Sequence, residues 1–254
     1  MTKKNKRISN YIGYIVIGFI LFNAIWYIVS ILLDIKALPS PIEVYKIYPL
    51  ALENDILVHS LASLQRIFIS IGISLFIALI LGLLMGYNKQ ANKFLGPMVY
   101  FSYPIPKLAL LPIIMVLFDL GEASKIIIVV LIVVFQLIIT IRDSVRNIPQ
   151  ENYHVLTSFG ATGIQKMRYI TLPAILPEIL SSLRVALGIA TSALFFIETF
   201  GTDKGLGYYI IDSQTKVDYP QMYFGILVLS LLGFILFLLI DLVDRILCSW
   251  KDNK

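Results

Sequence analysis

Residues 147–177 read NIPQENYHVLTSFGATGIQKMRYITLPAILP. No other polar interruption is as long in a chain that consists mostly of long apolar runs. Asn147-Ile148-Pro149 reads as a helix start, because proline is tolerated in the first helical turn. Tyr153, Leu156 and Phe159 then recur every third residue and predict one apolar face. Gly160 ends that segment as glycine does at a left-handed cap. Thr162 caps a second short segment in which Ile164, Met167 and Ile170 share a face. Two short helices joined by Gly160-Ala161-Thr162-Gly163 predict a compact knob. An apolar face on such a knob suits docking into a partner's groove. Pro173 and Pro177 stand where the knob meets the next apolar run and set the angle between them.

Outward from this stretch, the 254 residues are 58% hydrophobic and 15% charged, with a mean hydropathy of +0.83. Soluble domains sit nearer half apolar and a quarter charged. Apolar runs of spanning length recur, so the fold class is all-α, a polytopic membrane protein. The short alternating segments of a β-barrel are missing. The net charge of +5 lies beside apolar spans, where lipid headgroups account for it and nucleic acid is not needed. A single cysteine, Cys248, excludes an internal disulfide and a cysteine metal site. The first apolar run is of spanning length with no small-residue cleavage site behind it, so it reads as a span and not a cleaved signal.

In order, the chain reads as a basic tail (1–10), spans at about 11–33, 60–87, 94–118, 124–141, 177–200 and 221–247, and a polar tail (248–254). The polar segment 142–176 lies between the fourth and fifth spans. Ser40 and Pro41 predict a short interfacial helix after the first span. Gly72, Gly82, Gly86 and Gly188 read as packing surfaces. The third span carries Pro97, Pro104, Pro106, Pro112 and Lys107. Internal prolines bend a helix, and the carbonyls they free survive at membrane depth only where protein or water satisfies them. Six spans put both termini on one side. That side holds thirteen Lys and Arg, including Arg142, Arg146, Lys166 and Arg168, against five opposite, which predicts cytoplasmic termini and a cytoplasmic 142–176 loop.

No G-x-x-x-x-G-K-[ST], H-E-x-x-H or G-x-S-x-G is present, so the chain is not expected to be an enzyme or to cradle a nucleotide. His59 and His154 fall on opposite predicted sides and share no metal. Ionisable residues at membrane depth need a reason. Lys107 reads as a cation lining a path for an anionic or zwitterionic solute, or more plainly as a structural partner for a carboxylate or for the carbonyls freed by the prolines beside it. Arg184 snorkels to the interface or lines a vestibule. Glu198 reads as a gate, a packing ion pair or an interfacial carboxylate. Arg66 reads as a structural tie to the outer loops. Gln136 and Asn23 read as interhelical hydrogen bonders. Asp241 and Arg245, four apart, predict an intrahelical pair.

Gly160, Ile170, Leu172 and Pro173 reproduce the G-x9-I-x-L-P spacing of the EAA loop, which marks permease subunits of binding-protein-dependent ABC importers. FSYPIPKLALLPIIMVLFDLGEASKI (101–126), LPEILSSLRVALGIA (176–190) and GLG (205–207) resemble the nitrate/sulfonate/taurine subfamily. The resemblance covers about 58–247. It implies a type I ABC importer permease fold in a bacterial cytoplasmic membrane. It further implies a permease homodimer, two ATP-binding subunits that hold ATP and Mg, and an extracytoplasmic substrate-binding protein. Its implied cargo is a small anion such as an aliphatic sulfonate, taurine or nitrate, with a thiamine-precursor pyrimidine as the alternative. The implied ATPase-contact segment runs from Glu151 through His154, Val155, Leu156, Phe159, Gly160, Ala161, Thr162 and Gly163 to Ile170, Leu172 and Pro173. The family's Glu-Ala-Ala positions hold His154, Val155 and Leu156 here, which leaves Glu151, one turn earlier, as the nearest acidic substitute. A stand-alone secondary transporter or channel is the rival reading, since broken helices such as the third span occur there too. A membrane scaffold is a third, but leaves Lys107 and the prolines without a role.

Overall fold

The structure, a computed structural model, describes residues 3–250, with side chains from Gly13 onward except Ile15. The basic side chains expected in the 1–10 tail, and residues 251–254 of the polar tail, lie outside the described residues. The chain divides into two compact units, one of residues 1–57 and 209–227, the other of 58–208 and 228–254.

The first unit contains α1 (Lys3–Leu33), α2 (Pro41–Lys46) and α3 (Tyr48–Glu53). It also holds most of α11 (Leu206–Thr215) and the first turns of α12 (Tyr219–Leu247). The short helix expected to start at Ser40 and Pro41 is present. The Ser40 hydroxyl accepts from the Glu43 N–H while the Glu43 carboxylate accepts from the Ser40 N–H, a reciprocal cap worth about 1 kcal/mol. Trp26 stacks on Tyr223 at 5.7 Å and donates its indole N–H to the Pro39 carbonyl. Tyr45 donates to Asn23, giving that residue the interhelical bond its polarity demanded.

The second unit is built on α4 (Ile56–Tyr87), α7 (Glu122–Arg146) and α10 (Leu172–Ile197). Buried residues on α7 and α10 recur at three- and four-residue steps, from Ile128 to Ile141 on one and from Ile175 to Ile197 on the other, so each turns one stripe into the core. Thr140 and Ser182 hydrogen bond between them at 3.2 Å. Against α7, α4 presents Ser70, Ser74, Ala78, Gly82 and Gly86, a small-residue stripe. A Cβ at Gly82 or Gly86 would stand 2.7 Å from the Cβ of Ile141 or Val145, so these two glycines set the helix separation. Gly72 meets nothing within 4 Å, and a Cβ at Gly188 would come only to ordinary contact with the Phe237 ring at 3.8 Å, so neither sets a separation within the chain as Gly82 and Gly86 do.

Several boundaries differ from the expected ones. The third span is two helices, α5 (Lys89–Ser102) and a pair formed by a 3₁₀ turn (Lys107–Leu110) with α6 (Leu111–Phe118), bent by 82°. Prolines at 104 and 106 remove two donors with only Ile105 between them, so the chain breaks at 103–106 instead of bending. Pro97, lying nearer the middle of α5, is absorbed. The connection expected at 201–220 contains α11, and α7 runs on to Arg146. The fifth span does not begin at Pro177. A rod of 35 residues, Gly163–Ile197, continues from the knob through Pro173 and Pro177. Among the described residues, five helices are long and apolar enough to cross a membrane, or six with the bent pair as one span.

Candidate coupling loop and interior sites

The knob consists of α8 (Gln150–Ser158) and α9 (Gly163–Lys166). Gly160 adopts φ +73°, and the Ala161 and Gly160 N–H groups bond back to the Leu156 and Thr157 carbonyls. These two bonds close the end of α8 in the Schellman pattern, for which glycine is the least strained residue. Thr162 and Gln165 then cap α9 reciprocally. The turn is therefore fixed at both ends by its own sequence.

The faces differ from the periodicity reading. Tyr153 and Leu156 turn inward, while Phe159 is 83% exposed, Ile164 74% and Val155 60%. Tyr153 is drawn in by its hydroxyl, which bonds to Thr171 at 3.0 Å. Thr171 is fully buried and also bonds to the Tyr87 hydroxyl at the end of α4. Glu151 and His154 lie exposed on α8. Leu156, Ile170 and Pro173 line a groove of 580 Å³ with Tyr169 and Trp250, while Leu172 opens α10. Between α9 and α10, residues Met167–Thr171 form a single π turn, in which the Leu172 N–H reaches the Met167 carbonyl five residues back. Pro173 has no N–H for the Tyr169 carbonyl and crowds it. Widening the preceding turn makes room, so the rod bends without ending.

At the opposite end of the same helices lies a buried ionic cluster. Arg66 binds Glu122 through two bonds of 2.5 and 2.7 Å, Glu198 at 2.6 Å and the Lys204 carbonyl at 2.8 Å. Glu198 is fully buried, against the interfacial reading, and forms the packing ion pair with Arg66. Its carboxylate also accepts from the Ser63 hydroxyl and the Gly207 N–H. That N–H is one of the otherwise orphaned donors opening α11, so Glu198 acts as an N-terminal cap as well as a counter-ion. Lys125, 1% exposed, donates to the carbonyls of Leu120, Gly121 and Gly201. Arg66 is thus the structural tie expected of it. Its partner Glu122 went unrecognised in the sequence, although its position near the predicted outer end of a span placed it at the depth of Arg66 and Glu198.

Lys107 donates to the Ser102 and Tyr103 carbonyls at the end of α5 and stands 5.0 Å from the centre of the Phe135 ring. The chain break beside Pro104 and Pro106 thus leaves helix-end carbonyls that a cation satisfies. Lys107 and Pro106 also line a cavity of 780 Å³. Pro104 sits in the break but does not line that cavity. Arg184 does not line that cavity. It pairs with Asp241 at 2.6 Å and Asp244 at 3.6 Å. Asp241 therefore serves Arg184, in place of the intrahelical pair expected with Arg245. Among the described residues no group of three or more His, Cys, Asp or Glu could hold a metal.

Residues 67–247 match the family described as "Binding-protein-dependent transport system inner membrane component". Among curated proteins, the chain is 29% identical over 217 residues to the formylaminopyrimidine transport permease protein ThiX of Halalkalibacterium halodurans, covering 85% of this chain and 87% of that one. It is 28% identical over 195 residues to the taurine transport system permease protein TauC of Escherichia coli (strain K12), covering 77% and 71%. Among solved structures, an inward-facing form of the MetNI methionine ABC transporter shares the fold, with a TM-score of 0.67 at 19% identity over 76% of this chain and 96% of that one. The match over most of the chain, on a multi-pass helical fold with a capped two-helix knob, makes this protein a member of the binding-protein-dependent transport inner-membrane family, the permease subunit of an ABC importer.

Proposed function

We propose that two copies of this permease pair in the cytoplasmic membrane, and that two ATP-binding subunits, which hold ATP and Mg, grip the knob from the cytoplasm. An extracytoplasmic binding protein delivers the cargo, a small anion of the aliphatic sulfonate, taurine or nitrate kind. The observation that carries this reading is the crown of Val155, Phe159 and Ile164, large apolar side chains left exposed on a doubly capped turn. An unpartnered apolar patch on a rigid turn fits a groove in a second protein, and the chain lacks a phosphate-cradling loop of its own. The charge asymmetry along the sequence supports a cytoplasmic knob. The similarity to a taurine permease supports a sulfonate. The similarity to a formylaminopyrimidine permease, which extends over 87% of that protein, supports a second reading with a pyrimidine cargo.

The test is co-purification of the tagged permease with an ATPase encoded beside it. Phe159→Glu is expected to lower the ATPase recovered at least about tenfold while the permease keeps its thermal midpoint. Undiminished recovery would refute the grip at the knob. Uptake of labelled taurine against labelled formylaminopyrimidine in cells with the operon deleted and restored decides between the cargoes.

A further inference from the structure

The 780 Å³ cavity lined by Lys107, Phe135, Gln136 and Ser192 lies within the ~300–1,000 Å³ typical of small-ligand sites. Its cation differs from the other interior ones in having a donor to spare. Arg66 and Arg184 each answer to two carboxylates, and Lys125 spends its three N–H donors on the carbonyls of Leu120, Gly121 and Gly201. Lys107 is 8% exposed, forms no ion pair among the described residues, and shares its cavity with no acidic residue. Two carbonyls take two of its three N–H donors. A desolvated ammonium without a counter-ion is costly, and an arriving anion would offset that cost. Other polar groups on the cavity wall are free to help. The Gln136 amide and the Tyr103 hydroxyl make no hydrogen bond among the described residues, and the Ser192 hydroxyl donates only to its own helix at the Gly188 carbonyl. Ile132 and Ile189 supply apolar wall.

We propose that this cavity is the membrane-interior station for the solute, and that it takes a compact oxyanion on a short apolar stem, as in an alkyl sulfonate. The third N–H of Lys107 and the Gln136 amide bind the anionic oxygens, with the stem against Ile132 and Ile189. The assignment rests on the importer reading above and adds the chemistry of the site. Lys107→Gln would also disturb the end of α5, so the charge test uses the unaltered protein. In saturation-transfer NMR on the purified permease–ATPase complex in detergent, ethanesulfonate is expected to give at least about three times the signal of its neutral isostere ethanesulfonamide. Gln136→Leu, a cavity-wall change that leaves the helix-end contacts of Lys107 in place, is expected to weaken ethanesulfonate binding about tenfold. Equal signals from the two probes, or unchanged binding by Gln136→Leu, would overturn the assignment, as would displacement of ethanesulfonate by an aminopyrimidine at lower concentration. ATPase co-purification scores the importer reading separately, so loss of the anion contrast in an intact complex counts against the cavity alone.

Discussion

Arg66 and Glu198 are the pair on which the second unit's far end depends. Both are essentially excluded from solvent, so removing Arg66 leaves Glu198 buried without a cation, and removing Glu198 leaves Arg66 only the more exposed Glu122. Arg66→Met or Glu198→Met is expected to cost about 3–5 kcal/mol, and the double variant less than the sum of the two. Thermal unfolding of the purified protein in detergent reads this, and strict additivity would contradict the coupling. Gly205 sits against the same cluster at φ +124°, and a Cβ there would lie 2.4 Å from the Glu198 carboxyl carbon. Gly205→Ala is accordingly expected to cost at least about 1–3 kcal/mol in the same measurement. Individual residues were only half legible in the sequence. Expense at membrane depth identified Arg66, Lys107, Arg184 and Glu198 as needing partners. Naming those partners required knowing which helix ends meet, and spacing along one helix says nothing of that, as the Asp241 pair illustrates.

Among the elements, the π turn at 167–171 joins the knob to α10 and is braced by Thr171 between Tyr87 and Tyr153. Thr171→Val keeps the shape and removes the hydroxyl that both phenols bond, at a cost of about 0.5–1.5 kcal/mol. If the brace holds the knob in register with the rod, the variant should hydrolyse ATP in the assembled complex with less solute moved per ATP. An unchanged ratio of transport to hydrolysis would confine Thr171 to stability. At the α4–α7 contact, Gly82→Leu would force the helices apart and is expected to abolish accumulation of folded protein, read by size-exclusion chromatography of the detergent extract. Long apolar runs, the Ser40 and Thr162 caps and the Gly160 turn could be read directly, because each is a local property. The 82° break and α11 could not. Proline reports that a helix is disturbed, leaving the angle to its neighbours, and α11 is a ten-residue helix whose start depends on Glu198 from the preceding helix end.

For the whole molecule, orientation can be tested with cysteine chemistry, since the only native thiol, Cys248, is buried. Thr157→Cys is expected to react with an impermeant maleimide only in inverted vesicles, and Lys204→Cys only in intact spheroplasts. The reverse pattern would invert the topology and remove the ATPase from the knob. The membrane class and family character were legible throughout the chain, because a bilayer imposes length and polarity on every span. The interior cavity was legible only as the Lys107 proline cluster, since its wall also draws on Phe135 and Gln136 from α7 and Ser192 from α10. One further consequence concerns the rod from Gly163 to Ile197. At 1.5 Å per residue it is about 50 Å long, so a tilt of only about 5° applied at the knob sweeps its far end through roughly 4 Å. That far end carries Glu198, bolted to Arg66. On the coupling proposed above, leverage of this kind would turn a small shove at the knob into a stroke as wide as a small solute at the other end, with the π turn lying near the handle.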